Sequence, residues 1–473
     1  MANVKEMASP GKNCVYVKDA TGKLFSDKAH ELFEAIRDER YGFLLDSSSL
    51  PNRLGRYSIL GYQPMHVLQA KSGKYKIITT GRSSSYNGDP LEKLEELLAL
   101  NKVEYSGNLP FVGGAVGYLS YDLCQLTENM KLDKPDETGM PDMEFGFYEK
   151  AVVCDNLKGT VCLTSCGKTL ESCKAGIGEL TEKFRKKPDT TADRKNIIKS
   201  KVKSNFTKPG YLRTVEKIKD YIRAGDTYQV NLSQNFTTTL KENPWRVYKR
   251  LRNINPAPFA AYLNYGKTRI LSSSPERFLK VKDRTIETRP IKGTRPRGAD
   301  EKEDRKLARE LLSSEKDKAE HVMIVDLERN DLGKVCEYES VHVPEFEILE
   351  TYPTVHHMVS TVRGRLRQGT SIIDCIRACF PGGSITGAPK IRAMEIINEL
   401  EPTRRNLYTG AVGYLGFNGA MDLNIAIRTI ICTPKTTCFS AGGGIVADSK
   451  PEAEYDETIH KARALFQVLG VIV

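Results

Sequence analysis

Nowhere in the 473 residues is there an apolar run of membrane-spanning length, and the opening Met-Ala-Asn-Val-Lys-Glu has no apolar signal core. No CxxC pair and no paired zinc spacing occur among the eleven cysteines, an odd number, so reduced thiols in a cytoplasmic protein are expected rather than a disulfide framework. A basic arm is missing too. The 71 basic residues are interspersed with 60 acidic ones, and stacking aromatics are not interleaved with them. The charge of +11 therefore suits an anionic small molecule or an acidic partner, not nucleic acid. Cys166-Gly-Lys-Thr169 has the end of a phosphate loop, but Cys162 stands where its first glycine belongs and no helix is expected to open cleanly after it. What remains is 40% hydrophobic content on a long chain: enough for two or three domains or one large α/β unit.

The first ~180 residues mix strands and helices. Lys74 to Thr80 reads as a strand and Pro90 to Leu100 as a helix with leucines at helical spacing. Two apolar runs between Met143 and Cys166 flank Asp155 to Gly159 and predict a hairpin. Residues 186–203 are charged and poor in apolar side chains, as in a linker. Tyr211, Val215, Ile218 and Ile222 then form a helical stripe stopped by Gly225, and Tyr228 to Gln234 alternates like a strand. Further strands are expected over 259–265, 269–273, 278–282 and 355–366, and helix over 301–331. Gly114-Ala-Val-Gly-Tyr-Leu119 recurs letter for letter as residues 410–415, a hint of two related sheets.

Several clusters could carry chemistry. Lys292 lies among Arg289, Arg295 and Arg297; like charge and burial would both favour its neutral, nucleophilic form, although such a run is ordinarily a solvated loop. Glu454 and Glu457 are three apart and Lys461 four further, one helix face. With Glu320, which begins an apolar helical run, they offer hard oxygens of the kind Mg2+ prefers; a salt-bridged surface helix fits the spacing equally well. Pro381 to Lys390 is a glycine loop feeding a helix over 391–400, and Gly442, Gly443 and Gly444 after a strand offer a second backbone nest for an anion. Arg428 is a lone cation in an apolar strand and needs a carboxylate partner, from a ligand or from the protein. His357 is either a satisfied histidine or an acid-base group.

Taken together, Ser274-Pro-Glu-Arg-Phe278, Glu320-His-Val-Met-Ile-Val-Asp-Leu-Glu-Arg-Asn-Asp331, Gly387-Ala-Pro-Lys390 and Glu454-x-x-Glu457-Thr resemble the chorismate-utilising enzymes, strongly from Thr207 onward and more weakly over 44–61. Within that family the water-adding members carry a lysine base where this chain has Gln229. Anthranilate synthases read Pro-Ile-Ala-Gly-Thr where this chain reads Pro290-Ile-Lys-Gly-Thr294, and Thr-Leu-Ser where it has Ser384-Ile-Thr386. Both departures resemble the branch that aminates chorismate at C4, on the way to 4-aminobenzoate and folate.

The resemblance implies an α+β fold: two large antiparallel β-sheets packed face to face and flanked by helices. It implies an N-terminal part over 1–185, a linker over 186–206 and a catalytic part over 207–473. Lys292 would attack chorismate, Glu276 would protonate the leaving hydroxyl and His357 would orient it. Glu320, Glu454 and Glu457 would hold Mg2+. Gly293, Thr294, Thr386, Tyr408, Arg428, Gly442, Gly443, Gly444 and Lys461 would hold substrate. Ser47, Pro258 and Phe259 match positions that in relatives line a tryptophan pocket, although Asp46 and Phe259 depart from the anthranilate-type residues. The chain has no Gly-x-Cys-x-Gly-x-Gln nucleophile loop, so a glutamine amidotransferase subunit is expected to supply ammonia. No nucleic-acid or membrane partner is implied.

Overall fold

The structure is a computed structural model that describes residues 5–7, 13–22, 28–48, 54–128, 130–185, 200–353 and 355–471. Most of the expected linker, and the end of the turn after Ser48, lie outside those residues.

Two large antiparallel sheets dominate, as expected. The first runs from the Cys14–Asp19 strand through Thr160–Gly167, Lys150–Asp155, Tyr57–Gly61, Phe43–Asp46, Phe259–Asn264, Arg269–Ser274, Thr429–Cys432 and Thr437–Ile445 to Gln229–Thr238. The second runs from Ile291–Pro296 through Val355–Arg365, Thr285–Arg289, Arg277–Lys282, Met421–Ile425, Ala411–Gly416, Gly114–Leu119, Met143–Tyr148 and His66–Lys71 to Lys74–Thr79 and Arg82–Asn87. Their inner faces meet in one apolar layer, with Phe43, Ile59, Val153, Ala261 and Ile431 from one sheet against Val116, Tyr118, Val412 and Tyr414 from the other. Helices cover the outer faces. Ala29–Phe33, Leu170–Arg185, Pro244–Ile254 and Pro451–Val468 pack on the first sheet, and Pro90–Leu100, Glu315–Gly333 and Ile372–Cys379 on the second.

Local chemistry explains most element ends. Asp89 caps the Pro90–Leu100 helix by accepting the Leu91 N–H, and proline at the first turn loses no bond there. Thr207 caps Lys208–Arg223 in the same way, and Gly225 at φ +83° ends that stripe. The hairpin Lys150–Asp155/Thr160–Gly167 forms around Gly159 at φ +62°. A helix, Leu170–Arg185, does open three residues beyond Gly167, against expectation, but Cys162 is paired inside the strand and no phosphate loop exists. Among the described residues no helix is long and apolar enough to cross a membrane.

The repeated hexapeptide is not a mark of two sheets. Its copies are neighbours in one sheet, with Gly117 opposite Gly413. A side chain could not replace hydrogen at either: a Cβ on Gly117 would come 2.0 Å from the Glu144 carbonyl oxygen, and one on Gly413 2.1 Å from that of Asp422. The spans 1–185 and 207–473 likewise share both sheets, joined by Phe43–Asp46 beside Phe259–Asn264 in the first and by the two hexapeptides in the second.

Candidate active site

The site forms where the chain passes between sheets. Arg269–Ser274 belongs to the first sheet and Arg277–Lys282 to the second, and Glu276 sits in the passage between them. Arg428 occupies the return passage between Met421–Ile425 and Thr429–Cys432, held at φ +50°. The lysine stretch is no loop. Ile291–Pro296 continues Thr285–Arg289 in register along one side of Val355–Arg365, with Lys292 opposite Met358 and Thr294 opposite His357; among the described strands none pairs with its other edge. The register slips between Lys292 and Thr294, where Gly293 takes φ +70°.

The arginines flanking Lys292 do not depress it. Arg295 pairs with Asp317 at 2.8 Å, Arg297 with Asp304 at 2.7 Å, and Arg289 with Glu350 at 2.8 Å, so each is neutralised locally. Burial lowers the Lys292 pKa, Lys461 adds to the effect, and Glu320, Glu276 and Glu457 oppose it. Lys292 is thus an amine drawn toward neutrality with three carboxylates around it.

Glu276 is buried. Its Oε1 accepts the Ser384 hydroxyl at 2.6 Å and the Ile291 N–H at 3.5 Å. Burial raises its pKa against the pull of Ser384 and Lys292, which favours the protonated acid. His357 accepts or donates through Nδ1 to the Thr294 hydroxyl at 2.9 Å, while its buried Nε2 has no partner. Burial, with Arg428 next, lowers its pKa to about 3, so the imidazole is neutral. Arg428 is half-buried and makes no salt bridge with a described residue. A half-buried guanidinium with no ion-pair partner among the described residues and an orphaned imidazole nitrogen are both suited to an oxyanionic ligand.

The three glutamates come from two helices. Glu320 lies on Glu315–Gly333, where Gln229 Nε2 donates to its Oε2 at 3.3 Å, and burial raises its pKa. Glu454, on Pro451–Val468, accepts the Ser449 hydroxyl at 2.6 Å and is raised by burial. Burial also acts to raise Glu457, but Lys461, at 2.6 Å, holds it below the usual carboxylate range. Gly443 faces both: a Cβ there would lie 3.3 Å from Glu457 Oε1 and 3.4 Å from Glu454 Oε2. Among the described residues no three acidic, histidine or cysteine side chains already stand around one point at metal-ligand spacing.

Several expected contacts take another form. Gly442, Gly443 and Gly444 lie inside the Thr437–Ile445 strand, paired to Ser233, Leu232 and Asn231, so they form no anion nest. Two of them are crowded: a Cβ on Gly442 would meet the Leu232 carbonyl oxygen at 2.6 Å and one on Gly444 would meet Gln229 Nε2 at 2.2 Å. Lys461 is committed to Glu457 and to the Gly442 carbonyl, 3.0 Å away. The Thr386 hydroxyl donates to the Gly382 carbonyl at 3.0 Å, so it braces its own turn. That turn does not feed a helix directly: Gly383–Ile385 is a short 3-10 helix, Gly387–Ala388 pairs with Gln229–Val230, and only then does Lys390–Leu400 begin. Tyr408 is buried, its ring 5.7 Å from the Arg405 guanidinium.

Two features escaped the sequence reading. Arg405 and Glu401 form a buried pair at 2.7 Å that also binds the Ile385 and Asn231 carbonyls. Glu328 is buried beneath the Gly383 turn. A signal for the second existed: His321, Ile324, Val325, Glu328, Asp331 and Leu332 follow helical spacing and form the buried face.

Ser47, Pro258 and Phe259 meet elsewhere, lining a cavity of about 610 Å³ between the sheets with Tyr57, Arg277 and Tyr414. The Ser47 hydroxyl donates to the Tyr57 and Pro258 carbonyls. Asp46, also on the cavity lining, accepts from the Arg252 Nε–H at 2.9 Å and the Tyr248 hydroxyl at 3.1 Å.

Comparison with known proteins adds the family. A profile of chorismate binding enzymes matches residues 43–467. Aminodeoxychorismate synthase component 1 of Bacillus subtilis (strain 168) is 41% identical over 94% of this chain and 95% of its own. Anthranilate synthase component 1 of Thermus thermophilus is 40% identical over 90% and 92%. In structure, anthranilate synthase component I of Streptococcus pneumoniae TIGR4 matches with a TM-score of 0.79 and 36% identity, covering 88% of this chain and 92% of that one.

Proposed function

The chain belongs to the chorismate-binding enzyme family, and we propose that it acts as an aminodeoxychorismate synthase component 1, turning chorismate and ammonia into 4-amino-4-deoxychorismate. Anthranilate synthases are equally similar, so identity does not choose between the two reactions. The observation that carries the choice is Lys292, an amine drawn toward neutrality beside the buried acid Glu276.

In this reading the Lys292 amine forms a bond to C2 of the ring, both conjugated ring double bonds shift, and the C4–O bond breaks. Glu276 gives its proton to the departing hydroxyl, which leaves as water. Ammonia then bonds to C4, both double bonds shift back, Lys292 departs as the amine, and the proton shed by the added nitrogen returns to Glu276. Neutral His357, through its free Nε2, orients the leaving oxygen, and Arg428 receives a substrate carboxylate. Gly293, Thr294, Thr386, Tyr408 and the Gly442–Gly444 strand shape the wall around the ring, and Lys461 acts by poising Glu457. Glu320, Glu454 and Glu457 are the residues that would hold Mg2+; an all-oxygen donor set suits that ion. Bound there, it would neutralise a carboxylate of chorismate. Ammonia would come from a glutamine amidotransferase subunit, the chain itself working in the cytoplasm. Eleven free cysteines fit a reducing compartment. The intersheet cavity at Ser47, Pro258 and Phe259 would take tryptophan.

The test is a product assay with chorismate, ammonium and Mg2+, half of each sample being chased with a purified aminodeoxychorismate lyase. 4-Aminobenzoate is expected only after the chase, and no turnover when Mg2+ is chelated. Anthranilate formed without the lyase would overturn the reading.

A further inference from the structure

Glu328 is a buried carboxyl group to which the reaction above gives no task. Its Oε1 accepts the Gly383 N–H at 3.1 Å, and its Oε2 is buried without a partner. The contact is close: a Cβ on Gly383 would sit 2.6 Å from Leu327 Cδ2, so the glycine lets the turn lie on this face of the Glu315–Gly333 helix without displacing that side chain. One residue further, Ser384 donates its hydroxyl to Glu276 Oε1 at 2.6 Å. Two buried carboxyl groups thus grip adjacent residues of one turn, Glu328 through the backbone of Gly383 and Glu276 through the side chain of Ser384.

We propose that Glu328 is a positioning residue for Glu276: through the Gly383–Ser384 turn it holds that acid in place. The proposal rests on the reading of Glu276 as the proton donor.

Asp331, on the same helix as Glu328, takes both nearby ammonium groups, Lys334 at 2.9 Å and the buried Lys390 from the Lys390–Leu400 helix, which also donates to the Cys379 carbonyl. Glu328 is left with no cation of its own. Burial raises its pKa to about 7, Asp331 and Glu276 add to the rise, and Lys390 and the Gly383 N–H oppose it. Glu276 in turn faces Lys292 from the edge strand, Lys461 from the C-terminal helix and Arg428 from the return passage. All three favour its ionised form, and burial is what retains its proton. Glu276 works only when protonated, so activity falls as pH rises through its pKa. Glu328 acts through the turn: it fixes the Gly383 backbone from which the Ser384 hydroxyl reaches Glu276 Oε1.

The decisive experiment is an infrared titration of the carboxyl C=O bands in the full-length, substrate-free chain, with Glu276→Gln and Glu328→Gln identifying the two groups. Wild type should show two steps. Glu328→Gln keeps an acceptor for the Gly383 N–H and should leave one step, that of Glu276, in place. Glu328→Asp withdraws the acceptor from Gly383; with the Ser384 hydroxyl displaced, the Glu276 step should move upward, because that hydrogen bond lowers its pKa. A Glu276 step that does not move in Glu328→Asp would overturn the proposal. The same variant should lower kcat for chorismate consumption roughly tenfold with little change in KM, and Glu328→Gln should keep the wild-type value; unchanged kcat in Glu328→Asp, or a loss confined to KM, would also overturn it. The titration contains no substrate, so anthranilate as product would refute the proposed function while leaving this assignment to be judged by the bands.

Discussion

Replacing Arg405 by methionine removes one member of a fully buried pair. Arg405 is 5% and Glu401 3% exposed, their contact is 2.7 Å, and the guanidinium also serves the Ile385 and Asn231 carbonyls. Glu401 would retain the Ser233 N–H and hydroxyl, both at 2.8 Å, but not a counter-charge. Breaking such a pair from one side costs about 3–5 kcal/mol, because the remaining charge stays buried. Unfolding entropy near the midpoint is about 2.1 cal/mol/K per residue, or roughly 1 kcal/mol/K for this 473-residue chain. The expected fall in Tm is therefore about 3–5 °C, small in degrees because the chain is long. Scanning calorimetry at fixed rate on wild type, Arg405→Met, Glu401→Gln and the double variant tests this. Since Glu401→Gln removes the stranded charge, the double variant should recover much of the loss. Strictly additive effects, or an Arg405→Met midpoint within about 1 °C of wild type, would refute the reasoning.

Lys292→Ala should abolish any covalent adduct with chorismate detectable by mass spectrometry after acid quench, with kcat down at least ~10³-fold; an adduct of the wild-type mass increment in that variant would remove Lys292 from its role. His357 is neutral in the folded chain down to about pH 3, against 6.5 for the ordinary group, so the unfolded chain binds the extra proton between those values. The stability it contributes is complete above pH 6.5 and is lost progressively as pH falls toward 3. Denaturant midpoints of wild type and His357→Gln should accordingly diverge least in acid, and a difference independent of pH from 7 to 4 would contradict the assigned protonation.

How much of this was legible in the sequence depended on whether a signal was local. Helices such as Pro90–Leu100 and Lys208–Arg223 were readable because cap, proline and apolar spacing coincide within a few residues. Lys292, Glu276, Glu320 and Glu457 stand close enough to bias the titration of Lys292, and Glu454 lies with Glu457 beside Gly443. The cause of the Lys292 shift was not legible: sequence neighbours suggested arginine repulsion, whereas Asp317, Asp304 and Glu350 arrive from distant segments and cancel it. The glycines at 442–444 were misread for a related reason. Nothing in the sequence distinguishes a glycine that leaves room for a ligand from one that leaves room for Gln229 and two glutamates. Glu401 and Arg405 drew no notice in the sequence because their burial comes from tertiary packing.

The weaving of both sheets from the two ends of the chain sets the order of events during synthesis. When the ribosome has made the first 185 residues, Gly114–Leu119 still lacks its neighbour on one side, because Ala411–Gly416 is almost three hundred residues away. Phe43–Asp46 waits likewise for Phe259–Asn264. At ~5–20 residues per second, translation keeps two apolar strand edges open for roughly ten seconds or more. Such edges recruit other strands, so the nascent chain, rather than the finished enzyme, is the form most exposed to misassembly, and slow translation before residue 411 would lengthen its risk.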